Sequence, residues 1–170
     1  MYEDSTLTDL ISRQSRVQQK LGLTGVKPGE ERMQLALAYD TSRGDLQRLL
    51  IATWTPYQEN VVHPQPATVL QALSVMLYHN LAYNALFDTA REARSIMDFQ
   101  AEANEMRRLT VLACLHQLAN KGCGLGIEGF LFYASKVLFL FGYTLPDLIE
   151  SHADVLNRVQ NNIEAVGGAA

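Results

Sequence analysis

Hydrophobic residues recur along this chain at the three- and four-residue spacing of amphipathic helices, and no stretch alternates in the way that predicts a β-hairpin. Helices are predicted from about Thr8 to Leu21, from Pro28 through the following apolar positions, and from Pro66 to Phe87. A further helix is predicted to begin at Asp88 or Thr89 and to continue through an apolar segment at 109–118 to about Lys121, and others are predicted over 127–141 and from Thr144 onward. We therefore predict an all-α bundle of six or seven helices, with one domain at 1–166 and a flexible tail at 167–170.

The most unusual segment runs from Asn60 to Phe87 and contains no Lys, Arg, Asp or Glu. Its helical part has no charged face, and a helix of that kind is normally buried on nearly all sides. It is too polar to cross a membrane, because five polar side chains are spread along it: Gln71, Ser74, His79, Asn80 and Asn84. We expect it to be the central helix of the core or to lie in a dimer seam.

Three short motifs predict where helices begin and end. Thr6 and Asp9 have the spacing of a capping box in front of the first helix. Gly142 follows the helix over 127–141 as a C-terminal glycine. Thr144 is then expected to cap the last helix, with Asp147 in its first turn.

Composition limits the functional classes. The chain is 48% hydrophobic and 19% charged, with a formal net charge of −4. No general basic field exists to attract nucleic acid or an anionic membrane. Two cysteines and an acidic N-terminus without an apolar run lead us to expect a reducing, cytoplasmic environment.

Acidic residues offer two candidate metal sites. Asp40 and Asp45 are five residues apart, which places them about 140° apart around a helix, so we interpret them mainly as solvent-facing acids. Asp88 and Glu92 share a helix face, and they could ligate a metal or form surface ion pairs with the interleaved Arg91 and other arginines.

Residues 132–150 read Phe-Tyr-Ala-Ser-Lys-Val-Leu-Phe-Leu-Phe-Gly-Tyr-Thr-Leu-Pro-Asp-Leu-Ile-Glu, and 152–162 read His-Ala-Asp-Val-Leu-Asn-Arg-Val-Gln-Asn-Asn. With a Gln-rich first helix, a long second helix and Trp54, this layout resembles the all-α nucleoside triphosphate pyrophosphohydrolases, the dimeric dUTPases and MazG-type proteins, many of them phage-encoded. The resemblance implies a helical homodimer. It also implies nucleotide contacts from Lys136, Asn157, Arg158 and Gln160. Without the resemblance, Lys136 fits better as a lysine whose stem packs while its amine reaches solvent. Asn157, Arg158 and Gln160 are equally consistent with an exposed helix face.

The family holds Mg²⁺ with Glu-x-x-Glu on its second helix and Glu-x-x-Asp on its third. Aligned with this chain, the first pair falls near Ser42 and Asp45, and the second pair falls on Gln71 and Ser74. Neutral side chains are poor ligands for Mg²⁺. A working metal site would therefore have to combine Asp45 with acids such as Asp88 and Glu92.

Three hypotheses follow. The favoured one is a degenerate, non-catalytic relative of this family, with no catalytic residues, that forms a homodimer and binds a protein partner or a nucleotide. The second is an active, Mg²⁺-dependent enzyme that converts a (d)NTP into a (d)NMP and pyrophosphate in a bacterial or phage-infected cell. The third is an unrelated all-α structural or interaction protein.

Overall fold

The computed structural model describes residues 4–23, 40–48, 65–84, 95–105, 110–121 and 125–168, and within them the protein is all-α, as predicted. Six helices have both ends described: α1 (Leu7–Leu23), α3 (Pro66–Asn84), α4 (Ile96–Glu105), α5 (Val111–Lys121), α6 (Ile127–Leu140) and α7 (Leu145–Gly168). Residues 40–48 form part of another helix, α2, whose ends lie outside the described residues.

The start of α1 is stabilised by the predicted capping box. The backbone N–H of Thr6 donates to Asp9 Oδ2 at 3.0 Å, and the N–H of Asp9 donates to Thr6 Oγ1 at 3.1 Å. The same end of α1 is joined to the start of α4, since the N–H of Ile96 donates to the carbonyl oxygen of Ser5 at 2.9 Å. These bonds satisfy backbone donors that a helix N-terminus otherwise leaves unpaired.

Helix α3 lies inside the bundle, where it packs against α1, α6 and α7. Its side chains from Val69 to Leu81 are buried or half-buried except for Gln71. The prediction of a central core helix is therefore confirmed within one chain. Burial in the monomer accounts for the absence of charge on α3, so this helix does not require a second subunit.

The polar region after α3 differs in detail from the prediction. The structure has two separate helices here, α4 and α5, and the predicted capping residues Asp88 and Thr89 lie outside the described residues. Helix α5 has its own cap, which the sequence analysis missed: the N–H of Ala113 donates to Thr110 Oγ1 at 3.1 Å. A threonine at this position stabilises the first turn of a new helix.

Helices α6 and α7 meet at a sharp corner that local sequence determines. Gly142 adopts a φ of +79°, in the left-handed region. Its N–H donates to the carbonyl of Phe139 at 3.1 Å, while the N–H of Tyr143 donates to that of Leu138 at 3.0 Å. These two bonds form a Schellman motif. Thr144 then precedes α7, and its N–H and its hydroxyl both donate to Asp147 Oδ2, at 2.8 Å and 3.1 Å. The Asp147 carboxylate thus accepts from the backbone of Thr144, as the third residue of a capping box does.

Helix α7 extends through Gly168, so the first two residues of the predicted tail are helical, and the last two lie outside the described residues. None of the described helices is by itself long and apolar enough to cross a membrane. Only the pair Ile127–Leu140 and Leu145–Asn161 reaches that length and composition, and it bends by 108° at the break.

Two apolar clusters make up the described core. The main cluster contains buried residues from all seven helical segments, among them Leu10 of α1, Leu46 of α2 and Ile149 of α7. A smaller cluster joins α1, α3 and α7 through four buried residues: Val17, Tyr78, Val155 and Leu156. Between the two clusters lies a group of buried polar side chains.

Candidate functional site

The first predicted metal ligand, Asp45, lies on α2 and is engaged by a neighbouring cation. The guanidinium of Arg48 pairs with the carboxylate of Asp45, and the Asp45 side chain is 17% exposed. Asp40 is exposed, whereas Ser42 is buried, so the resemblance's first pair does not present two accessible ligands. The other predicted ligands, Asp88 and Glu92, lie outside the described residues.

The second metal-ligand pair of the family would fall on Gln71 and Ser74 of α3. Gln71 is exposed, whereas Ser74 is completely buried. The two side chains therefore point into different surroundings, although they are only three residues apart. Among the residues that the structure describes, no group of three or more His, Cys, Asp or Glu side chains comes together as a metal site would require.

Ser74 makes an internal contact between helices instead. Its hydroxyl oxygen lies 2.7 Å from the carbonyl oxygen of Leu70 and 2.6 Å from the hydroxyl oxygen of Ser151 on α7. A hydroxyl has a single proton, so one of these contacts uses the proton of Ser74 and the other uses that of Ser151. A hydroxyl pair thus joins α3 to α7 at the position where the resemblance would place a carboxylate.

The four predicted nucleotide contacts lie on two helices. Lys136 is half-buried on α6, near the buried Cys114 of α5. Burial raises the pKa of the Cys114 thiol to about 11, and the Lys136 ammonium acts in the opposite direction. Such a thiol is protonated at neutral pH and is a poor nucleophile.

On α7, Asn157 and Arg158 are exposed and Gln160 is half-buried. The axes of α6 and α7 differ by 108°. With a rise of about 1.5 Å per residue, the backbones of Lys136 and Arg158 are about 20 Å apart. The exposed face of α7 also carries Glu150 and Asp154, so Arg158 is outnumbered by acids on this surface.

The group of buried polar side chains between the two apolar clusters centres on Gln14 of α1 and His152 of α7. Both side chains are completely buried, and His152 Nε2 lies 2.9 Å from Gln14 Oε1. Because the amide oxygen can only accept, Nε2 of the imidazole carries the proton and Nδ1 does not. Neither Nδ1 of His152 nor Nε2 of Gln14 has a hydrogen-bond partner among the described residues.

Burial, together with the nearby Arg13 guanidinium, lowers the pKa of His152 to about 3. Arg13 itself donates from Nη2 to the hydroxyl of Ser5 at 3.1 Å. His152 is therefore a neutral imidazole at physiological pH. Since it is inaccessible to solvent, this arrangement holds α1 against α7 and does not form an exposed acid–base centre.

The sequence analysis assigned no role to Gln14 or His152, but the hydrophobic periodicity contains a signal for both. Gln14 follows Leu7 and Leu10 and precedes Val17 on the buried stripe of α1. His152 occupies the corresponding stripe of α7, between Ile149 and Val155. A polar side chain on an apolar stripe predicts a buried group that needs a partner on another helix.

Comparison with known proteins adds no family assignment, since no family model, curated protein or solved structure matches this chain significantly.

Proposed function

We propose that this protein is a degenerate, non-catalytic member of the all-α nucleoside triphosphate pyrophosphohydrolases, with a dUTPase- or MazG-like helical arrangement. It acts as a helical homodimer that binds a protein partner or, without turnover, a nucleotide. The observation that carries the proposal is the hydroxyl contact between the buried Ser74 and the half-buried Ser151, at the position where the resemblance would place a metal-binding carboxylate.

The chemistry of the donor set supports the absence of hydrolysis. Mg²⁺ requires several oxygen ligands, carboxylates above all, that converge on one point. At the positions where the resemblance places these ligands, Ser42 and Ser74 are buried, Gln71 is neutral and exposed, and Asp45 pairs with Arg48. Neutral side chains also avoid the cost of burying like charges in a core without metal.

A protein partner is favoured over a nucleotide as the bound molecule. The exposed face of α7 carries more acids than bases around Arg158, which opposes the approach of a triphosphate. Lys136 lies on another helix, too far from Arg158 for both to contact one short polyphosphate. By contrast, Phe139 and Leu140 at the end of α6 are 70% and 54% exposed, which favours a contact with another protein surface.

The decisive experiment is a hydrolysis panel. Purified protein is incubated with each common NTP and dNTP and with Mg²⁺ or Mn²⁺, and monophosphate is detected by chromatography. We expect no turnover. Turnover that a chelator abolishes would contradict the proposal and would point to a working metal site that includes Asp45 and acids such as Asp88 and Glu92.

Nucleotide binding without turnover is measured separately by thermal unfolding. A ligand present at a hundred times its dissociation constant stabilises a protein by about 2.7 kcal/mol. We expect no shift with millimolar nucleotides. A shift that Arg158→Ala removes, while the matched surface change Lys121→Ala preserves it, would assign the α7 residues to nucleotide binding instead.

The homodimer is tested by analytical ultracentrifugation. We expect a dimer that weakens when both Phe139→Ser and Leu140→Ser are introduced. Glu150→Ser, on the exposed face of the adjacent helix, is the control and should leave the association unchanged. A monomer at tens of micromolar protein would contradict the homodimer part of the proposal, while the part that assigns no catalysis would be unaffected.

A further inference from the structure

His152 lies at the centre of the interface between α1 and α7, and its hydrogen bond to Gln14 crosses that interface. Along α1 the order is Leu10 of the main cluster, then Gln14, then Val17 of the smaller cluster. Along α7 the buried residues follow the same order, from Ile149 through His152 to Val155. The pair of His152 and Gln14 therefore lies between the main apolar cluster and the smaller one.

Different contacts hold the two halves of α1 in place. Its N-terminal half contributes Leu7 and Leu10 to the main cluster, and the bond between Ser5 and Ile96 joins it to α4. Beyond Gln14, the buried apolar residue with a described side chain is Val17, which packs in the smaller cluster. Among the positions of α1 with described side chains, the part beyond Gln14 therefore contributes less buried apolar surface than the part before it.

The described charges around His152 do not offset the positive charge that a second ring proton would add. Arg13 of α1 is the cation that acts on it, and Arg13 also interacts with the exposed carboxylate of Asp9. Helix α3 brings Ser74, Tyr78 and the half-buried, titratable His79, and α6 carries the half-buried cation Lys136. Asp147 of α7 is bonded to Thr144 at the helix start. The remaining carboxylates of α1, α4 and α7 with described side chains are exposed: Asp9, Asp98, Glu102, Glu105, Glu150 and Asp154.

We propose that the second half of α1 is an acid-released segment, in which protonation of His152 separates α1 from α7 beyond Gln14. A proton on Nδ1 places a second positive charge beside Arg13 in an interface where no buried carboxylate is described. Separation lets the imidazolium reach water, while the Ser5–Ile96 bond keeps the start of α1 in place. The apolar faces of Tyr78 and Val155 then become exposed.

The expected size of the effect follows from proton linkage. In the closed structure the pKa of His152 is about 3, and in water it is near 6.5. Below pH 6.5, each pH unit therefore raises the equilibrium constant for opening about tenfold. Between pH 7.5 and pH 5.0 the opening constant should increase about 30-fold.

Hydrogen exchange at single peptides measures this opening directly. After correction for the intrinsic exchange rate, we expect amides of α1 beyond Gln14 to lose protection about 30-fold at pH 5.0. Amides of α6 exchange through global unfolding and should stay better protected than those of α1 at both pH values. Equal protection of α1 at pH 7.5 and pH 5.0 would overturn the proposal, and so would protection factors of α1 and α6 that coincide at pH 5.0, because that result indicates that α1 opens only by global unfolding.

Two variants assign the effect to one histidine. His152→Gln keeps a neutral hydrogen-bonding side chain and should remove the pH dependence of α1 exchange. His116→Gln, at an exposed position on α5, is the matched control and should retain it. Retention in His152→Gln would overturn the proposal. If that variant does not fold, the pKa of His152 is measured from its ring proton resonances in the native protein. A pKa near 6.5 while the amides of α1 remain protected would also overturn the proposal.

Discussion

The side-chain oxygen of Gln100 accepts a hydrogen bond from the backbone N–H of Leu145, with 2.9 Å between the two atoms. Gln100 lies on α4 and Leu145 is the first residue of α7, so this bond satisfies an N-terminal donor of α7 from another helix. The other end of the amide is also occupied, since Nε2 of Gln100 donates to Asn104 at 3.3 Å. The contact fixes the corner after α6 against α4.

Gln100→Ala should lower the free energy of unfolding by about 1–3 kcal/mol, because the buried N–H of Leu145 loses its acceptor. Urea denaturation measures the change. Glu105→Ala, at an exposed position on the same helix, is the control and should cost under about 0.5 kcal/mol. Equal effects of the two substitutions would show that the hydrogen bond to Leu145 contributes little to the free energy of unfolding.

Rebuilding the family's third-helix acids should not create an enzyme. In Gln71→Glu/Ser74→Asp the new aspartate would be buried against α7, so we expect no Mg²⁺-dependent release of monophosphate and a loss of several kcal/mol of stability. Gln71→Glu alone should change stability by under about 0.5 kcal/mol, since this position is exposed. Metal-dependent hydrolysis by a stable double variant would show that Ser74 can turn toward a metal.

Two glycines of the α6 region should respond in opposite directions to alanine. Gly142→Ala should cost about 1–2 kcal/mol, because residue 142 has a φ of +79° and an L side chain is strained there. Gly129→Ala should stabilise the protein by about 0.5–1 kcal/mol, since this helical position has no atom within 4 Å of the added Cβ. Thermal unfolding measures the change in stability of each variant, and two changes of the same sign would contradict this prediction.

Stability should fall with acidity before the carboxylates protonate. The folded protein holds the pKa of His152 at about 3, below its ordinary value of 6.5, so only the unfolded chain takes up this proton between those values. The free energy of unfolding should therefore decrease by about 1.4 kcal/mol for each pH unit below 6.5. Urea denaturation at pH 7.5, 6.0 and 5.0 measures the slope.

In the same series, His152→Gln should give a nearly flat profile between pH 7.5 and 5.0, because glutamine does not titrate. The Asp9 carboxylate does not interfere in this range. Its hydrogen bonds with Thr6 lower its pKa below 3.8, so its contribution is lost only in stronger acid. A steep slope in the variant would mean that another group links folding to protonation.

Local features of this chain were predicted well. The capping box of Thr6 and Asp9, the opening of α3 at Pro66, the glycine after α6 and the cap at Thr144 all depend on residues a few positions apart. Such interactions form within a single turn, so the sequence contains their full geometry. The cap at Thr110 has the same local character and could have been predicted.

The pattern of the chain by itself determined an all-α architecture and a central helix without charge, because periodicity and composition report which faces must be buried. Only the tertiary structure decided which polar groups meet inside. Gln14 and His152 are 138 residues apart, and Ser74 and Ser151 are 77 apart. Their pairing depends on how α1, α3 and α7 pack against one another, and a helical periodicity specifies a buried face without specifying its partner.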